Sequence, residues 1–172
     1  MLRLAVLTCL LIVSAGPACV PLEPGGAAVA PATGIDGAVS RQAVIADAGH
    51  AVMVGRALVL HQAGRVTYLA DVAQIRRSGH VRLRMDSAWH EGRPLPFTGV
   101  GRSEPYCLAH RACQALRTGT FHLSRTDFDR AAATGLAATL IGPDAAVEVF
   151  LPAALFAEAR DRARETGIWH GP

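Results

Sequence analysis

Lysine is absent: all 17 basic residues of this 172-residue chain are arginine, and we read no function from that bias. The signatures of common chemistries are missing as well. There is no His-Glu-x-x-His, no Gly-x-Ser-x-Gly elbow and no Cys-x-x-Cys redox pair. "TGVGRS" contains Gly-x-Gly but nothing more of a phosphate-binding fingerprint. Asp127 and Asp129 sit where a helix first turn begins, so the helix dipole accounts for them without general acid–base work. The remaining histidines, at 50, 61, 80, 90, 122 and 170, are scattered. No catalytic residue, metal or cofactor is expected. No internal repeat of useful length occurs either.

What is present starts with "MLRLAVLTCLLIVSAGPAC". One Arg precedes an uncharged apolar run from Leu4 to Ala15, about 12 residues, followed by small residues. A bilayer-spanning helix needs roughly 20, whereas a positive end, a short apolar core and a small-residue cleavage region make a secretory signal. Residues 1–18 are therefore expected to direct export. Gly16-Pro17-Ala18-Cys19 resembles the lipobox of bacterial lipoproteins, with Gly16 where that pattern usually carries Leu. The resemblance implies that Cys19 becomes a diacylated first residue. It also implies, from Val20 in place of Asp, anchoring in the outer membrane facing the periplasm; otherwise the protein is periplasmic or secreted. Cysteine arithmetic agrees, because removal of Cys9 with the signal leaves Cys19, Cys107 and Cys113, and lipidating Cys19 removes the odd thiol.

The next stretch, "VPLEPGGAAVAPATGIDGAVS", is rich in Pro, Gly and Ala, with no apolar period. Residues 19–40 are expected to be a flexible tether, and residues 41–172 a single globular domain. Half the chain is apolar (51%), enough for a core without metals. "AVMVGRALVL" and "VTYLA" read as strands around the turn-like "HQAGR". In "HVRLRMDSAW", Val81, Leu83 and Met85 alternate with Arg82, Arg84 and Asp86, which predicts a strand with one wet face. Pro96 confines "LPFTGV" to an edge or a bulge.

Ser124 with Asp127 predicts a capped helix over "RTDFDRAAAT", stopped by Gly135. "LAATLI" and "AVEVFL" predict strands joined at Gly142-Pro143-Asp144-Ala145. Pro152 is expected at the first position of a second helix, which buries Leu155, Phe156, Ala159 and Ala163. The fold class expected is α+β, a mostly antiparallel sheet packed by two helices.

"YCLAHRAC" offers the most chemical-looking spacing. Cys107, His110 and Cys113 match three zinc ligands, with His90 or His122 as a fourth, but a second ligand cluster is lacking. In an exported chain, the expectation is a disulfide between Cys107 and Cys113. Residues 56–125 carry 11 Arg against four acids, a balance of +7, while residues 126–172 total −3. Arg76, Arg77, Arg82 and Arg84 are thus candidate contacts for an anionic envelope component, since guanidinium forks suit phosphate and carboxylate. Without basic–aromatic interleaving, nucleic acid is not an expected partner. Together these readings predict a non-catalytic binding or scaffolding module tethered to a membrane through its lipid anchor. The alternative is a small periplasmic enzyme or metal carrier.

Overall fold

Two long strands on either side of Ala63-Gly64 form the spine of the molecule. The structure is a computed structural model that describes residues 24–30, 34–47, 52–75, 83–100 and 115–169. In chain order the strands are β1 (Gly26–Ala30), β2 (Ile35–Val39), β3 (Ala43–Asp47), β4 (Val52–Gln62), β5 (Arg65–Ile75), β6 (Ser87–His90), β7 (Arg93–Leu95), β8 (Phe97–Gly99) and β9 (Ala115–Leu123). Then come helix α1 (Arg125–Thr134), β10 (Leu136–Ile141), β11 (Ala146–Leu151) and helix α2 (Ala153–Glu165). The fold is α+β, with every strand pairing antiparallel.

The pairings divide into two sheets. The larger runs β1-β2-β4-β5-β9-β8, and β3 takes up the stretch of β4 that β2 leaves open. The smaller runs β11-β10-β6-β7. The β4–β5 hairpin closes on Gln62↔Arg65 with positive φ at both loop residues, 50° at Ala63 and 78° at Gly64. That is the type I′ geometry whose twist matches paired strands. The β6–β7 hairpin repeats it, closing on His90↔Arg93 with φ of 49° at Glu91 and 74° at Gly92.

The expected tether over 19–40 is corrected. Residues 26–30 and 35–39 are paired strands, and Ala38 and Val39 are buried, so the folded body reaches back at least to Gly26 rather than starting at Arg41. The small-residue sequences "GAAVA" and "IDGAV" show no alternation; pairing makes them strands, β2 on β4 and β1 in turn on β2. Between β2 and β3 the hydroxyl of Ser40 accepts from the Ala57 backbone N–H at 2.9 Å, bridging the irregularity in the ladder.

A second correction concerns "HVRLRMDSAW". Residues 83–86 form no strand, and β6 begins only at Ser87. Met85 is buried and Arg84 and Asp86 are exposed, so the alternation is real, yet the segment lacks a continuous ladder partner. The Asp86 N–H reaches Ile141 O (2.8 Å), and the Leu83 N–H reaches the Gln74 side chain (2.9 Å). A methyl group on Gly142 would collide with the Arg84 carbonyl, and one on Gly99 with the Met85 carbonyl. The segment is thus held between the two sheets by close approach at two glycines. Pro96 marks the other crossing, where the chain leaves β7 of the small sheet and enters β8 of the large one. Its carbonyl accepts from the His122 N–H at 2.9 Å.

Both helices pack on one face of the large sheet. The Ser124 hydroxyl caps α1, accepting from the Asp127 N–H at 3.0 Å. The Asp127 carboxylate accepts from that hydroxyl (2.6 Å). Gly135, at φ 82°, ends α1 as expected. Pro152 is corrected by one position: it is the N-cap of α2, at ψ 144°, outside the first helical turn. The far end of α2 closes in a Schellman turn, with Ile168 N–H to Ala163 O (2.9 Å), Gly167 N–H to Arg164 O (3.1 Å) and Gly167 at φ 72°.

That turn aims Ile168 and Trp169 inward. Tyr68 lies 5.2 Å from Trp169 and 5.5 Å from Phe128, and Phe128 lies 5.2 Å from Phe156, as ring centroids. These rings join the inner faces of both sheets in one core, which includes Ala88, Leu140, Val149 and Leu151 of the small sheet. Each large side chain so buried stabilises by about 1.5–3 kcal/mol. A separate cluster of Val52, Val54, Ala73 and Ile75 occupies the opposite face of the large sheet.

Candidate functional site

Alternation in β10 and β11 sends Leu136, Ala138, Leu140, Val147, Val149 and Leu151 into the core. Water should therefore meet polar groups on the other face. It meets several apolar ones instead: Phe150 is 51% exposed, Trp89 39% and Ile141 38%. The register puts them in order. Pro94, Trp89, Thr139 and Glu148 form one row across β7, β6, β10 and β11. Ala137 and Phe150 form the next.

Residue size along these rows shapes the surface. The central strand β10 offers small side chains, Ala137 and Thr139, as a floor. Trp89 on one side and Glu148 and Phe150 on the other rise as walls, and Ile45 of β3 adds to the lining. The result is an open trough of about 450 Å³.

His90 and Glu91 stand where the β6–β7 hairpin turns. His90 Nδ1 lies 2.6 Å from the Ala137 carbonyl oxygen. A carbonyl can only accept, so Nδ1 carries a proton there. Nε2 is 3.9 Å from a Glu91 carboxylate oxygen. Glu91 takes the first loop position of a type I′ turn, at φ 49°, where Asn, Asp or Gly is favoured. The polar groups around the trough are the Glu91 and Glu148 carboxylates, the His90 ring and the Thr139 hydroxyl, which can donate or accept. The described lining contains no arginine.

A second polar row crosses the other face of the large sheet. Arg56, Asp71, Thr120 and Thr98 lie in register on β4, β5, β9 and β8. Arg56 and Asp71 are buried, and the Thr120 hydroxyl donates to Asp71 at 2.7 Å. Thr98 Oγ1 is 2.9 Å from His122 Nε2. A hydroxyl beside an imidazole is the start of a nucleophile–base pair, but Asp71 accepts from Thr120, so this acid is committed to a threonine.

Of the residues singled out in the sequence, Arg84 is described; it is exposed, with Nε 2.9 Å from Asp86 Oδ1. Arg76, Arg77, Arg82, Cys19, Cys107, His110 and Cys113 lie outside the described residues. His90 and His122 are described and sit on different sheets. Among the described residues no group of three or more His, Cys, Asp or Glu side chains is placed to hold a metal ion. No described helix is long and apolar enough to cross a membrane.

Of the trough residues, the sequence singled out only His90, as a possible fourth zinc ligand. The available signal was Phe150, a large apolar residue on the wet side of a cleanly alternating strand. Among the described residues, fold and site together define an α+β protein of two antiparallel sheets and two helices with an open trough lined by aromatic and acidic side chains. No family model, no curated protein and no solved structure matches this chain.

Proposed function

We propose that this chain is an exported envelope protein, held at a membrane by a lipidated Cys19, whose folded body is a non-catalytic binding module. The secretory layout of residues 1–18, the small residues before Cys19 and the odd cysteine count support the export and the anchor. A Cys107–Cys113 disulfide belongs to the same reading, as does contact of Arg76, Arg77, Arg82 and Arg84 with an anionic envelope component.

One observation carries the binding role: Trp89, Ile141 and Phe150 project outward from a sheet whose other face is the core. Exposed apolar side chains gathered in one patch mark contact sites, while single ones need no explanation. The open trough suits recognition more than chemistry, because electrostatic catalysis gains most where water is excluded, and the Glu91 side chain here is 83% exposed.

Expression of the full chain in a bacterium with two membranes tests the anchor. Mass spectrometry of the membrane fraction should find an acylated peptide beginning at Cys19, and Cys19→Ser should release the protein into the soluble periplasm. A soluble mature form with another N-terminus, unchanged in Cys19→Ser, would overturn the anchor. Peptide mapping without reductant reads the Cys107–Cys113 link in the same sample.

A further inference from the structure

The binding role leaves the ligand open, and the trough's chemistry narrows it. We infer that the trough of Trp89, Glu91, Thr139, Glu148 and Phe150 docks an arginine or lysine side chain of a basic peptide segment, an inference that rests on the binding reading above.

Charge complementarity is the first argument. Glu91 and Glu148 bring two carboxylates to the described lining with no arginine beside them. A ligand that donates hydrogen bonds and carries positive charge satisfies both. The second argument is shape. Trp89 and Phe150 stand on either side of a floor of Ala137 and Thr139, so an aliphatic stem can lie between rings while its cation meets ring faces and carboxylates. Guanidinium and ammonium groups are attracted to aromatic faces, indole best. Arginine also forks onto carboxylates.

Area is the third argument. Trp89 at 39% and Phe150 at 51% exposure leave on the order of 200 Å² of apolar surface, given the 150–250 Å² that aromatic side chains bury. A stable protein pair buries about 800 Å² per partner. The patch is therefore too small to hold a second copy of this chain and large enough for a short segment.

Trp89 supplies the readout. The chain has two tryptophans, and Trp169 is buried in the core, so Trp169→Phe leaves Trp89 as the sole reporter. The probe is a hexapeptide amide alternating Arg and Leu, compared with the same peptide carrying Glu for Arg, and with spermidine. The basic peptide should shift Trp89 emission saturably, and binding should weaken as salt rises from 50 to 500 mM, since exposed charges are screened within about 8 Å even at physiological ionic strength. Glu148→Gln should weaken binding about three- to tenfold, and Trp89→Phe read by calorimetry by a similar factor.

Glu91→Asn separates function from structure. Asn suits the type I′ position better, so the melting temperature should hold or rise while binding weakens. Equal binding of the acidic peptide, or of spermidine at the same affinity, overturns the inference. So does unchanged binding in both Glu148→Gln and Glu91→Asn, or a concentration-dependent dimer that buries Trp89. No binding of any probe by folded protein also overturns it, while the acylated Cys19 peptide still reports independently on the membrane-tethered reading.

Discussion

Arg56 and Asp71 show how much one register position decides. Each is buried, and they face one another across β4 and β5. Where two opposite charges are buried at facing positions and depend on each other, removing one costs about 3–5 kcal/mol, whereas replacing both by apolar groups is often neutral. Asp71→Leu should therefore lower the denaturation midpoint sharply, and Arg56→Met/Asp71→Leu should recover most of the loss. Equal destabilisation by the single and double variants would show that the charges do not depend on each other. Neither residue stood out in the sequence, because 71 − 56 carries no periodic signal and only the hairpin at Ala63-Gly64 makes them neighbours. The trough was hidden for the same reason. Trp89 and Phe150 sit on strands that are distant in sequence, and β10 brings them to one surface.

Elements whose signals are local were the legible ones. Ser124, Asp127 and Gly135 announce both ends of α1, and the structure places them there. Ser124→Ala removes the hydroxyl that receives the Asp127 N–H and should cost about 1 kcal/mol, read as a lower denaturant midpoint with an unchanged slope. A loss below about 0.3 kcal/mol would mean that water replaces the cap at this exposed end. The alternating strands of the β10–β11 hairpin were equally plain. Residues 83–86 misled because alternation reports an extended chain with one buried side, and a strand also needs a partner along its length. β1 and β2 erred the opposite way. Alanine and glycine carry no pattern of their own, and a neighbour recruited them into the sheet.

At the scale of the whole molecule, the class α+β was readable from counting elements, while the division into two sheets was not. It depends on Pro96 and residues 83–86, where the chain changes sheets, and on β10 inserting beside β6. That insertion has a kinetic consequence. β6 is made at mid-chain, yet its inner neighbour β10 arrives only at Leu136–Ile141, and closing so long a loop comes before the contact rewards it. Stopped-flow refolding should be dominated by a phase in the millisecond-to-second range expected of nonlocal β topologies; completion within tens of microseconds would exclude this order of events. Under the export proposed above, the polypeptide would be threaded through a translocation channel as unfolded chain. Waiting for β10 lengthens the interval in which threading remains possible.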